Sequence, residues 1–535
     1  MSTSSARDYA YVALVYTAAW IWLLLNNGFI YWDDWGLLPH DSATRNAFYA
    51  MVAAPQKGMM HNFLLEIGNG VMVYRVIVFV AYLVTAWCFL WILRHIRQAE
   101  SGYPLLIAML AAVYPVNQAR IALIDMPYGL NLATFALGTV FAMVAEYRQR
   151  LLPRVLALAL FAFSFFTKSF LVFYAVPVAL MLYVSRATVF GNGMAGAPFR
   201  LVFWGLRRLD YLLLPILFFL LANRYLVPNT LYAGYNTVQP DDLPRAMLAS
   251  LRSMANLSWF PAVRWYGDSS LRHLLIGVSL VMATALLALA QWSRIRRHDW
   301  RSGWWIALFL GGLLLLLAIF PYQVVNKTPA FDDWLSRHQL LFPFGCAILL
   351  VAYLRLVLSG AWARKAIVVM IAVSVVVVTR DMLWYYADGV RQIGIVAALK
   401  ELKPVQAARN QVVLFDDQSQ QSNAMNRFYR SYELSAYLRQ AYGDASRLGE
   451  LRVLWYTWTP EIVQRRARWR HFNIGDFNAE SIVVAGTVTI APGSYQADST
   501  WQRIGLLVTG ITDSDALHRR ARDMVRLSWE PWAEG

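Results

Sequence analysis

Apolar residues dominate the first 380 positions in long runs, and polar or basic stretches of a few residues separate them. A helix that crosses a bilayer needs about 20 mostly apolar residues. On that measure the chain predicts eleven spans, at 9–30, 71–93, 103–116, 128–145, 152–166, 169–184, 209–223, 273–291, 303–320, 339–358 and 364–380. The third, fifth and sixth are short and are expected to tilt, break or pack among other helices. Past Arg380 the pattern changes. Apolar runs shrink to strand length at Val412–Phe415, Ile482–Ala485 and Ile504–Val508, with basic, helix-like stretches at Arg427–Gln440, Arg465–Arg470 and Leu517–Arg526. The expected fold is therefore an α-helical polytopic membrane protein with about eleven transmembrane helices over residues 1–380. A small C-terminal extracytoplasmic α/β domain over 381–535 is expected to follow.

Composition agrees with this reading. The chain is 58% hydrophobic and 15% charged, against roughly a quarter charged in soluble domains. Its net charge of +16 is carried by clusters in alternate loops, which is topology information rather than a nucleic-acid surface. One set of loops holds Arg94 with Arg97, Arg148 with Arg150 and Arg154, Arg186 through Arg208, Arg294 through Arg297, and Arg364 with Lys365. The opposite short loops carry isolated basic residues, Arg120, Lys168, Lys327 and Arg337. Positive residues favour the cytoplasmic side, so the N-terminus is expected inside and the loop 31–70 outside. The first run is long enough to span and lacks a small-residue cleavage site, so it is expected to be retained. Cys88 and Cys346 lie within apolar runs, and no disulfide framework is expected.

Candidate chemistry collects on the predicted outer side. The first run delivers Tyr31-Trp32-Asp33-Asp34-Trp35 to the membrane edge. Two carboxylates held at the water–lipid boundary are costly and therefore candidates for function, with a Trp on each side to anchor them at headgroup level. The plainer alternative for either Asp is a helix N-cap. The rest of the loop, 37–67, mixes Phe48, Met51, Phe63 and Leu64 with polar residues, as in helices lying flat on a bilayer. The next outer loop contributes Arg120 and Asp125, the turn at Thr167-Lys168-Ser169 contributes Lys168, and Arg337-His338 open the tenth span. Bases from separate loops around a pair of acids suit an anionic lipid substrate, because a phosphate needs charge-assisted donors and Arg offers a bidentate fork. For Lys168 the alternative is harmless snorkelling to the interface. No Walker-type phosphate loop, no HExxH and no His/Cys pair at ligand spacing occurs, so no metal or other cofactor is expected.

These features resemble the GT-C superfamily of membrane glycosyltransferases, which use polyprenyl-phosphate sugars. The similarity rests on four features. They are the acidic pair after the first span, the Lys-bearing turn before a span containing Pro177, the basic residues at the start of a late span, and the C-terminal domain. The resemblance implies that Asp33 or Asp34 is the catalytic base, without choosing between them, and that Asp125 is a second acid. It assigns Lys168, Arg337, His338 and Arg120 to the donor phosphate. It implies a multi-pass enzyme of a bacterial inner membrane with its active site facing the periplasm. The partners would be a polyprenyl-phosphate-sugar donor such as undecaprenyl phosphate, membrane lipids, and a glycan acceptor such as lipopolysaccharide O-antigen or a protein. No Asp-x-Asp or Glu-x-Asp triplet occurs in the outer loop that holds Asp125, which departs from the metal-dependent members.

Three other readings compete. A lipid-linked glycan flippase or ligase would want the outer basic ring but not the acidic pair. A secondary transporter should show inverted repeats, which the sequence lacks. A scaffold would tolerate loss of both Asp33 and Asp34.

Overall fold

The structure, a computed structural model, describes residues 3–37, 41–68, 70–97, 102–190, 196–225, 243–257, 304–325, 327, 334–455 and 483–532. It is mostly helical, with a small sheet near the C-terminus. Among the described residues four helices are long and apolar enough to cross a membrane: Ala6–Leu25, Gly70–Ile96, Leu123–Arg148 and Gly360–Leu399. Shorter apolar helices occupy Tyr103–Val113, Leu151–Ser164, Ser169–Val184, Leu209–Ala222, Leu308–Gln323 and Phe342–Val357. The expected span at 273–291 lies outside the described residues. Hydrophobic runs thus mark helices at ten of the eleven expected positions, but only four of these helices have full spanning length. Tyr103–Val113 shows the physical reason. At 1.5 Å per residue its 11 residues cover about half of a hydrocarbon core, and every one of them is buried. Its apolar character serves helix–helix packing, which an apolar-run count cannot tell from lipid contact.

The loop after the first helix folds into two helices, Ser42–Met51 and Pro55–Glu66, the first of them amphipathic. Arg45 Nε donates to Asn62 Oδ1 at 2.6 Å and Asn62 Nδ2 to Asn46 Oδ1 at 3.0 Å, which fixes one helix on the other. Met59 and Phe63 on the second helix, and Ile67 just past its end, stay exposed.

Helix Gly360–Leu399 is 40 residues long and runs without interruption past Arg380 into the C-terminal part. Two glycines let neighbours approach its backbone. A Cβ at Gly389 would collide with the Phe29 ring, and one at Gly394 with the Ala521 carbonyl. Against this helix packs a four-stranded sheet of order β2-β1-β3-β4, with β1 Val412–Asp417, β2 Leu448–Leu451, β3 Val484–Pro492 and β4 Val525–Pro531. β1 runs parallel to β2 and β3, whereas β4 is antiparallel to β3. Val412–Phe415 is buried throughout, as expected of a central parallel strand. The run Ile504–Val508, expected as a strand, lies instead within helix Thr500–Thr512. Ser499 and Gln502 form a capping box there, a start signal that outweighs a five-residue apolar run.

Candidate functional site

The two acids that adjoin in sequence have opposite surroundings. Asp34 is fully buried. Its Oδ2 accepts from Leu123 N at 2.9 Å and Tyr31 N at 3.2 Å, and its Oδ1 from Ile124 N at 2.9 Å. It therefore clamps the first loop to the turn at 118–125. Burial raises its pKa to about 6; the N–H groups of Leu123 and Ile124, the Arg75 charge and the Tyr31 N–H pull the other way. Asp33 is half-buried. The Tyr432 hydroxyl donates to its carboxylate, and Arg337 and Arg430 lie near. Burial raises the Asp33 pKa above the ordinary carboxylate range, against the pull of Tyr432 and the two arginines.

The split begins at Trp32, whose φ of 49° is left-handed, an uncommon and strained conformation for a bulky residue. Its N–H donates to Glu433 Oε1 at 3.2 Å. Its ring packs 5.4 Å from Tyr385 and 5.8 Å from Trp334, with the Arg427 guanidinium 5.4 Å away. Trp35 donates from Nε1 to Gln392 Oε1 at 2.9 Å and meets Tyr437 edge-on at 4.9 Å. Both tryptophans are buried. They dock the first loop onto the C-terminal domain instead of anchoring it among headgroups, because residues about 300 to 400 positions later in the chain fold over them.

Around Asp33 stand groups from three further segments. Asp125, at the start of helix Met126–Arg148, is buried, and its Oδ2 has no hydrogen-bond partner among the described residues. It interacts electrostatically with Arg337, Asp33, Asp34 and Lys57. Arg337 lies on the short helix Trp334–His338, which Ser336 ties to the 118–121 turn by accepting from Ala119 N at 2.9 Å. Its Nη1 donates to Trp334 O at 2.9 Å, and Tyr128 is its side-chain hydrogen-bond partner. Burial works against the Arg337 charge, but Tyr128, Asp125 and Asp33 outweigh it and raise its pKa. Lys57, from Pro55–Glu66, sits 5.4 Å over the Tyr128 ring. Burial lowers its pKa, Asp125 opposes that, and the like charge of Arg337 adds to it. It makes no ion pair among the described residues.

The other expected donor-site residues lie elsewhere or in another state. Arg120 is buried between the rings of Trp20 at 3.6 Å and Tyr82 at 3.9 Å, and its Nε donates to Asn117 O at 2.9 Å. It is a packing cation. Lys168 is exposed at its turn, with no hydrogen bond, ion pair or ring contact to the Asp33–Arg337 cluster among the described residues. His338 is beside Arg337, buried 4.3 Å from the Tyr322 ring. Burial, with the charges of Arg337 and Lys327, pushes its pKa well below the usual value, so it offers a neutral imidazole and not a cation. Arg75, buried beneath the cluster, donates from Nη2 to Phe29 O at 3.0 Å, and Nε and Nη1 have no partner among the described residues.

No family model matches the chain, and no curated protein matches it either. The functional reading therefore stands on the site alone.

The sequence missed Lys57 and Tyr432. Lys57 had a signal, as the only lysine in the acid-bearing loop. Tyr432 had none, because its partner is 399 positions away. An apolar cavity of about 60 Å³ lined by Phe89, Phe135, Leu314, Leu341 and others lies deeper among the helices.

Proposed function

We propose that the protein is an inverting glycosyltransferase that moves a sugar from a polyprenyl-phosphate carrier to an acceptor hydroxyl at the outer face of a bacterial inner membrane. Asp33 takes the proton from the acceptor hydroxyl, whose oxygen attacks the anomeric carbon. The bond from that carbon to the phosphate oxygen breaks, and the electron pair leaves with the polyprenyl phosphate. Arg337 and Lys57 stabilise that anion. One displacement inverts the centre, so a second carboxylate at nucleophile distance is not required. Asp34 is the clamp of the loop and Asp125 the acid that keeps Arg337 and Lys57 facing the cleft. The acceptor is a glycan such as lipopolysaccharide O-antigen or a protein.

The observation that supports this reading is the half-buried Asp33 beside Arg337, with Lys57 facing Arg337 and Asp125, two cations that no direct salt bridge consumes among the described residues. In reconstituted vesicles with a polyprenyl-phosphate sugar, Asp33→Asn should lower turnover by about two to four orders of magnitude at unchanged melting temperature. Asp34→Asn should instead lower the melting temperature, because an amide cannot accept all three N–H groups. Near-normal turnover in Asp33→Asn would remove Asp33 as the base.

The proposed orientation has its own test. Ser42 and Ser494 are exposed near the site and in the C-terminal domain, Gln149 is exposed at the far end of helix Met126–Arg148, and both native cysteines are buried. In intact spheroplasts an impermeant maleimide should label Ser42→Cys and Ser494→Cys but spare Gln149→Cys. The reverse pattern would put the site in the cytoplasm.

A further inference from the structure

The C-terminal domain holds the acid-bearing loop by two adjacent links. Helix Ser431–Tyr442 begins with a capping arrangement in which Glu433 Oε2 accepts from Arg430 N at 2.9 Å. The same carboxylate, fully buried, takes Arg427 Nη1 at 2.8 and 2.9 Å and Trp32 N at 3.2 Å. Arg427 Nε in turn donates to Asp388 Oδ2 at 3.0 Å, and Tyr429 Oη to Asp388 Oδ1 at 2.7 Å. This lattice fastens the start of the helix to Gly360–Leu399, and truncating one member would leave buried charge unpaired. On that frame Glu433 grips the backbone of Trp32, and Tyr432, one position earlier, reaches the carboxylate of Asp33, one position later. The first link sustains the left-handed backbone at Trp32, and the second fixes the side chain that follows.

We propose that the C-terminal domain completes the site, with Tyr432 as the positioning residue that orients the Asp33 carboxylate through its hydroxyl. This rests on the reading of Asp33 as the base. Burial, then the nearby Asp33 and Glu433 charges, raise the Tyr432 pKa well above its usual value, so Tyr432 keeps its proton and remains a donor across the working range. Asp33 also feels the charges of Arg337, from the Trp334–His338 segment, and of Arg430, and it interacts electrostatically with Asp125, Tyr49 and Tyr128 on the remaining elements. The arginines stabilise the carboxylate and Asp125 destabilises it. Tyr432 is the neutral donor that can be removed without altering that charge balance.

The test uses the full chain in vesicles and dicyclohexylcarbodiimide, which reacts with protonated carboxyls. Adduct formation is localised to Asp33 by peptide fragmentation and followed against pH. Loss of the donor in Tyr432→Phe should move the labelling midpoint up by about one pH unit. The acidic limb of turnover should move with it, kcat falling while KM holds. Replacement of Tyr432 by 3-fluorotyrosine, a stronger donor of nearly the same shape, should move the midpoint down. An unmoved midpoint in both variants overturns the proposal, whatever happens to activity. A moved midpoint together with full transfer by Asp33→Asn would keep the contact and overturn the glycosyl-transfer reading instead.

Discussion

The two ends of the helical bundle treat charge in opposite ways. At the end where the first helix begins, acids meet arginines directly. Asp8 pairs with Arg94, Glu146 with Arg208, and Asp210 with Arg154, whose Nε donates at 2.6 Å. Glu146 also takes the Ser185 hydroxyl, and Trp204 Nε1 donates to Ser185 Oγ at 3.1 Å. At the other end Asp34 is satisfied by backbone N–H groups, Asp33 by a tyrosine, and Asp125 keeps an oxygen without a partner among the described residues. Arg337 and Lys57 stand beside them without closing a salt bridge there. Buried polar groups left open cost free energy, so Asp125, Arg337 and Lys57 differ both from the paired acids at the first end and from the paired Arg427, Asp388 and Glu433 of the neighbouring C-terminal domain, and a bound ligand at the proposed site would account for the difference.

The comparison can be broken from either side. Glu146→Gln at the paired end leaves Arg208 facing a neutral partner in a mostly buried position, which should cost about 3 kcal/mol of stability. Turnover per folded molecule should not change. Thermal unfolding in detergent, set beside the transfer assay, reads both, and a selective loss of turnover would dissolve the distinction. A smaller effect belongs to Arg337. Arg337→Ala should weaken binding of the polyprenyl-phosphate sugar by about ten- to a hundredfold, and Arg337→Lys, which keeps the charge but loses the fork, should fall between. Lys168→Ala is the matching control. An exposed lysine outside the cluster should shift donor affinity by less than about twofold. Donor affinity that follows Lys168 and ignores Arg337 would move the phosphate site out of the cleft.

Part of the candidate cluster was legible as residue types at helix edges. Asp33, Asp34, Asp125 and Arg337 stood out because acids and bases interrupt apolar runs, and the structure brings these four together. What sequence could not supply was the division of labour. Asp33 and Asp34 differ only in which N–H and O–H groups surround them, and those come from Leu123, Ile124 and Tyr432. Arg120 misled because a cation between apolar runs reads as available, whereas Trp20 and Tyr82 cover both of its faces. Trp32 and Trp35 misled for the same reason, since their partners lie in a domain that periodicity cannot fold back onto the first loop. Helix lengths were overread where an apolar run such as Tyr103–Val113 is enclosed by other helices. In the C-terminal part, β1 was plain from its continuous apolar residues, while Ile504–Val508 was too short for its period to distinguish strand from helix.

Helix Gly360–Leu399 has a mechanical consequence. At 1.5 Å per residue it is about 60 Å long, twice the thickness of a hydrocarbon core, and it contains no proline. One stiff rod is thus long and apolar enough to cross a membrane at its base and still carry the sheet domain at its top, with Asp388 and Arg391 built into the upper half. Such a rod holds Tyr432 at a set height over the bilayer and leaves no joint at which the domain can swing away. A thicker or thinner membrane would have to be met by tilting the whole bundle, carrying cleft and domain together as one piece.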